Sequence, residues 1–166
     1  MLRVVTYLLP LSGELLLETL ANNRNVEVAA AFVPKTYYSD CTAQMQWLEN
    51  QGVPYRVPDT IESEDLRNWV RSLELDLGIS VGYDKKLPEW LYGYPDGGTI
   101  NFHPSLLPDY RGANPYYWTL RNGEETTGVT LHYMDSGFDT GPIIKTQKIT
   151  LEADETMGTL FFKLNN

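Results

Sequence analysis

The 166-residue sequence contains one cysteine, Cys41, so no internal disulfide can form, and no group of Cys and His has zinc-ligand spacing. The reading is therefore metal-free. Basic side chains are scarce: 13 Lys and Arg stand against 22 Asp and Glu, a net charge of −9. Nucleic-acid binding draws much of its affinity from Lys and Arg on phosphates, so this balance disfavours a nucleic-acid partner. The same charge also serves simply to keep a protein in solution. No run approaches the roughly 18 apolar residues of a membrane helix, and the start Met1-Leu2-Arg3-Val4-Val5 lacks the pattern of a secretory signal. The expectation is a cytoplasmic protein with no membrane partner. Repeats, low-complexity tracts and linkers are also missing, which reads as a single domain over 1–166.

What is present is an alternation of strand-like and helix-like segments. Arg3 to Leu9 is a β-rich run, followed by a leucine-dense helix over about Ser12 to Ala21. Val26 to Val33 is a strand, Thr42 to Gln51 a helix closed by Gly52, and Val53 to Val57 a short strand. The clearest helix starts at Ser63: Leu66, Trp69, Val70 and Leu73 share one face, and Ser63 is a natural N-cap. Strands follow at Leu75 to Val81 and Thr99 to His103, then a helix with Asn114 as N-cap and Pro115 at its first position. Strands at Val129 to Met134 and Ile143 to Leu151 and a last helix from about Asp154 complete the chain. Such alternation predicts an α/β, Rossmann-like three-layer sandwich with a mostly parallel sheet and an antiparallel element near the C-terminus. Trp47, Trp69, Trp90 and Trp118 read as core residues of helices. In open α/β sheets ligands sit beyond the carboxyl ends of strands, which points to the loops after Val81 and after His103.

The strand Thr99-Ile100-Asn101-Phe102-His103 carries the unusual chemistry. Alternation along a strand puts Asn101 and His103 on one side and Phe102 on the other. Buried polar groups cost free energy unless hydrogen-bonded, so the pair either caps neighbouring loops or aims an amide and an imidazole at one reacting centre. His132, with no carboxylate partner near it in sequence, reads as structural.

The run Asn101-Phe102-His103-Pro104-Ser105-Leu106-Leu107-Pro108, followed by Tyr110-Arg111-Gly112, closely resembles the signature of the folate-dependent formyltransferases. Thr127-Gly128-Val129-Thr130 and Met134-Asp135-Ser136-Gly137-Phe138-Asp139-Thr140-Gly141-Pro142 resemble its second half. The family includes methionyl-tRNA, glycinamide ribonucleotide and sugar N-formyltransferases. The resemblance implies a Rossmann-like enzyme of one-carbon metabolism that moves a formyl group from the co-substrate 10-formyltetrahydrofolate to an amine. It places the family's catalytic residues on Asn101, His103 and Asp139. Asn101 would donate to the oxyanion of the tetrahedral intermediate. His103, protonated, would donate a second bond and move protons, and Asp139 would favour that imidazolium. Folate contacts fall on Tyr83, Asp84, Lys85, Lys86 and Leu87, and on Asp135, Gly137 and Phe138. Ser105, Tyr110 and Arg111 fall on the acceptor side; Ser105 reads as a loop-shaping hydrogen bond, and Arg111 as a phosphate clamp or an ordinary ion pair.

The resemblance leaves the acceptor, a small-molecule amine, to be found by elimination. Leu9-Pro10-Leu11-Ser12-Gly13 has too little glycine for the phosphate loop of the glycinamide ribonucleotide enzymes. Neither the basic surface nor the additional domain of the methionyl-tRNA enzymes is visible in the sequence. That leaves an amino sugar linked to a nucleotide as the expected acceptor. The alternatives are methionyl-tRNA or glycinamide ribonucleotide, hydrolysis of 10-formyltetrahydrofolate, and a non-catalytic folate-binding module. Lys163-Leu164-Asn165-Asn166 offers no helix stop, so the reading expects a catalytic domain cut short or a naturally short relative.

Overall fold

A computed structural model describes residues 1–10, 12–35 and 40–165. By internal contacts it comprises two compact units, Met1–Thr99 and Ile100–Asn166.

Unit 1 contains strands β1 (Leu2–Leu8), β2 (Val26–Phe32), β3 (Tyr55–Arg56) and β4 (Leu77–Val81), with helices α1 (Ser12–Ala21), α2 (Thr42–Asn50), α3 (Glu64–Arg71) and α4 (Glu89–Tyr92). The strands pair in parallel in the order β3-β2-β1-β4. Helices cross over between parallel strands, so β1 is covered on both faces and Val4, Val5, Tyr7 and Leu8 are fully buried. On one side Leu8, Ala31 and Val33 pack with Leu17 of α1 and Leu48 of α2. Tyr7 stacks on Phe32 at 4.9 Å between ring centroids, Phe32 meets Trp69 at 5.5 Å, and the Arg56 guanidinium lies 4.4 Å above Trp69. Helix α3 starts as its sequence predicts, with the Ser63 hydroxyl accepting from the Leu66 N–H at 3.3 Å and Leu66 and Val70 buried. Within the first βα loop, a Cβ on Gly13 would lie 2.6 Å from the Leu8 Cβ, so glycine lets α1 begin tight against β1. Leu11 of that loop lies outside the described residues.

Unit 2 takes up β5 (Thr99–His103) and continues with α5 (Pro115–Arg121), β6 (Thr126–Tyr133), β7 (Ile143–Thr150) and α6 (Met157–Asn165). β5 pairs antiparallel with β6, and β6 with β7. Helices α5 and α6 pack with a Tyr116–Phe161 ring contact at 5.7 Å, and Leu160 of α6 is fully buried.

The chain has the α/β, Rossmann-like class that the alternation of elements predicts, with antiparallel pairing toward its C-terminus. Four details differ from the sequence expectation. Antiparallel pairing begins one strand earlier, at β5–β6. Helix α6 starts at Met157, not near Asp154, because Thr156 Oγ1 accepts the Thr159 N–H at 3.2 Å while Thr159 Oγ1 accepts the Thr156 N–H at 2.9 Å, a reciprocal cap. Asn114 precedes α5 in the left-handed conformation, with no side-chain capping bond. Trp118, expected in the core, is 45% exposed on α5, where its ring and that of Tyr117 lie under the Arg121 guanidinium.

Candidate active site

Strand β5 turns Asn101 and His103 to the same side, and both are buried. Antiparallel register then brings two residues of β6 directly opposite: His132 faces Asn101, and Thr130 faces His103. Facing residues bring their Cβ atoms to within about 5 Å, close enough for short polar side chains to meet. Asn101 Nδ2 lies 3.2 Å from His132 Nε2. Thr130 works beneath the site as a clasp. Its hydroxyl donates to the Ser105 carbonyl at 2.7 Å and accepts the Leu107 N–H at 3.1 Å, which pins the turn that follows His103.

Asp139 enters from the connection between β6 and β7. Its φ of 53° is left-handed, a conformation that few non-glycine residues adopt but that Asp tolerates. The loop after β5 holds it there. The Gly112 N–H donates to Asp139 Oδ2 at 2.8 Å, and Arg111 Nε donates to the Asp139 carbonyl at 3.0 Å. Two residues on, a Cβ at Gly141 would sit 1.9 Å from the Tyr133 carbonyl oxygen, so only glycine lets the chain fold back here.

The result is a carboxylate flanked by two imidazoles. Asp139 Oδ2 lies 3.4 Å from His103 Nδ1, and Oδ1 lies 3.4 Å from His132 Nε2 while accepting from Asn101 Nδ2 at 3.3 Å. His103 Nε2 is 2.8 Å from the Tyr110 carbonyl. A carbonyl only accepts, so Nε2 carries a proton, and protonation of His103 adds the second proton at Nδ1, on the Asp139 side. Burial lowers the His103 pKa below its ordinary value of 6.5, against upward pulls from the Asp139 charge and the Tyr110 carbonyl. Burial acts to raise the Asp139 pKa but is outweighed by the imidazoles of His132 and His103 and by the Gly112 N–H, leaving it lowered. Around neutral pH the site therefore holds a carboxylate beside a neutral His103. The sequence reading expects a protonated His103 favoured by Asp139; desolvation of the buried ring opposes that charge.

The other residues singled out from sequence are placed as follows. Ser105 is fully buried and donates to the Asp109 carbonyl at 2.7 Å, which shapes the loop and leaves no hydroxyl exposed to an acceptor. Tyr110 contributes its carbonyl to His103 and turns its hydroxyl to Glu124 and to Asn122. Asp135 accepts from the Gly137 N–H at 3.0 Å and from Thr140 Oγ1 at 2.6 Å, and Phe138 is 63% exposed. In unit 1, Gly82 takes a positive φ of 65° after β4, and Leu87 is buried. Lys85 Nζ donates to the Pro58 carbonyl at 2.6 Å, and Asp84 and Lys86 are exposed. The Tyr83 hydroxyl is buried with no hydrogen-bond partner.

Sequence reasoning reads His132 as structural because it has no carboxylate partner nearby in the chain. The structure supplies one across strands. Only the β5–β6 register brings Asn101, His132 and Asp139 together, and nothing local in the sequence encodes that register.

The family model described as Formyl transferase matches residues 17–166. The chain belongs to the formyl transferase family. Curated relatives are named methionyl-tRNA formyltransferase: that of Alkaliphilus oremlandii is 40% identical over 112 residues, 68% of this chain and 36% of its own length. That of Thermosynechococcus vestitus is 41% identical over 115 residues, 69% of this chain and 35% of its own. The chain thus spans about a third of the length of the curated relatives it matches. Among solved structures, phosphoribosylglycinamide formyltransferase from Bacillus halodurans superposes with a TM-score of 0.81 at 26% identity, covering 98% of this chain and 87% of that one. A formyltetrahydrofolate deformylase from Pseudomonas syringae shares the fold, with a TM-score of 0.76 at 23% identity over 98% of this chain and 55% of that one. No helix among the described residues is long and apolar enough to cross a membrane.

Proposed function

We propose that the chain transfers a formyl group from 10-formyltetrahydrofolate to a primary amine, with Asn101, His103 and Asp139 as its catalytic residues. The observation that carries this reading is the meeting of those three side chains around one carboxylate, in a chain of the formyl transferase family. The amine nitrogen attacks the formyl carbon and the carbonyl oxygen gains negative charge, toward which an Asn101 N–H donates. Neutral His103 takes the amine proton at Nδ1, and the imidazolium so formed is drawn to Asp139. The proton then passes to the folate nitrogen as the carbon–nitrogen bond to it breaks. No covalent bond to the protein forms.

The loop after β4 supports a pterin ligand through two features. Leu87 supplies an apolar wall, and the unpartnered Tyr83 hydroxyl offers a buried donor for a polar heterocycle edge. Lys85, tied to the Pro58 carbonyl, braces this loop. Methionyl-tRNA is the first acceptor to test, because relatives about 40% identical carry that name. The nucleotide-linked amino sugar expected from sequence is the second. Mass spectrometry of each amine after incubation with 10-formyltetrahydrofolate tests the reading: a gain of one formyl group on either supports it. Formate without a formylated amine assigns hydrolysis instead, and folate binding with no turnover assigns a binding module.

A further inference from the structure

We infer that His132 is a positioning residue that acts as a hydrogen-bond acceptor and sets the orientation of the Asn101 amide. This rests on Asn101 being the oxyanion donor of the proposed reaction. Three atoms meet between β5, β6 and the Asp139 turn. Asn101 Nδ2 to His132 Nε2 is 3.2 Å, Asn101 Nδ2 to Asp139 Oδ1 is 3.3 Å, and His132 Nε2 to Asp139 Oδ1 is 3.4 Å. Which contacts are hydrogen bonds depends on where the protons are.

His132 Nδ1 lies 2.8 Å from the Tyr133 carbonyl, an acceptor only, so Nδ1 carries a proton. Two states remain: a neutral ring with a lone pair on Nε2, or an imidazolium with a proton there. An imidazolium would donate to Asp139, and such charge-assisted bonds run to about 2.7–2.9 Å. The observed 3.4 Å is too long for one. An imidazolium would also set an Nε2 proton against the amide protons of Asn101, two donors 3.2 Å apart. The neutral ring removes both problems, because Nε2 then accepts from Nδ2.

The same triangle fixes the amide. Only the NH2 end of Asn101 can face a carboxylate oxygen and an imidazole lone pair together; a flipped amide would turn its oxygen toward two acceptors. The two acceptors subtend about 60° at Nδ2, because the triangle is nearly equilateral, whereas the two amide N–H bonds diverge by about 120°. With one N–H shared between His132 and Asp139, the other is directed away from both. That second N–H is the donor left for a developing oxyanion. Rotation of the amide by a small angle would misaim it, and losses of aim of this kind cost rate without costing affinity. Tyr133 completes the arrangement by holding the ring's other edge.

Trans-hydrogen-bond NMR on uniformly 15N-labelled full chain reads this directly. The expected result at neutral pH is a neutral His132 protonated at Nδ1, with a scalar coupling between Asn101 Nδ2 and His132 Nε2. An Nε2-protonated ring or an imidazolium overturns the inference, and neither outcome depends on whether formyl transfer is observed. A matched pair of variants gives the functional reading. His132→Gln keeps a polar atom near the Nε2 position, whereas His132→Asn keeps one near Nδ1 and loses the Nε2 acceptor; both stay polar and near the original volume. With 10-formyltetrahydrofolate, His132→Asn is expected to lower kcat about 10-fold or more at unchanged KM for the folate, and His132→Gln to stay within about 3-fold of the wild type. Equal kcat for the two variants, or a loss expressed in KM alone, contradicts a positioning role. In an Asn101→Ala background the Gln-to-Asn difference should vanish; a difference that persists there also contradicts it.

Discussion

Asn101 and His132 face each other across the β5–β6 ladder, with Nδ2 and Nε2 3.2 Å apart. The register that pairs them also sets His103 opposite Thr130, so two of the proposed catalytic side chains and their supports descend from one strand pairing. Asp139 then joins from the following turn, held by Gly112 and Arg111.

Asn101→Ala removes the proposed oxyanion donor. Loss of one such donor costs about 2.7–4 kcal/mol of transition-state stabilisation, a drop in kcat of about 10²–10³. Steady-state kinetics should show that loss, and urea unfolding should separately show about 1–3 kcal/mol lost from leaving His132 and Asp139 without their Asn101 partner.

Asp139→Asn moves the pH dependence in a direction fixed by charge. Burial lowers the His103 pKa, and the Asp139 charge is the largest influence pulling it back up. Without that charge the His103 pKa falls further, so the acid limb of the residual rate should move to lower pH. A shift to higher pH would mean that another group controls that limb. The stability sign is the same for both groups in the wild type. His103 and Asp139 have lowered pKa values in the fold, so each contributes stability that is present above its unfolded value and lost as pH falls through its folded one.

Thr130→Val leaves two buried partners without their bonds, the Leu107 N–H and the Ser105 carbonyl. An unsatisfied buried group costs about 1–3 kcal/mol, so urea unfolding should show a loss in that range or above. The turn that positions Tyr110 against His103 should loosen with it, lowering kcat as well.

Ser63→Ala tests the fold away from the site. The hydroxyl caps α3 by accepting from Leu66, and loss of such a cap costs about 1 kcal/mol. Chemical denaturation should report that amount, with formyl transfer unaffected.

Much of this molecule is legible in its sequence because periodicity is local. The 3.6-residue pattern of Leu66, Trp69 and Val70 and the alternation of Asn101 and His103 both depend on neighbours in the chain. Pairing register is not local. His132 reads as a core residue until β6 is laid against β5, and Asp139 has no marker of its place except its spacing in a family motif. Burial likewise changed the protonation expected of His103, since desolvation depends on the packed environment. Trp118 shows the opposite failure: aromatic content predicts burial, but α5 turns that ring outward.

The central claim is that these three side chains move a formyl group to an amine. Single turnover of 10-formyltetrahydrofolate labelled with 13C in the formyl group, in the presence of methionyl-tRNA or a nucleotide-linked amino sugar, tests it most directly. The account predicts that the label appears on the amine with wild-type protein, about 10² or more faster than with Asn101→Ala. Label recovered only as formate, or an equal rate with Asn101→Ala, would contradict it.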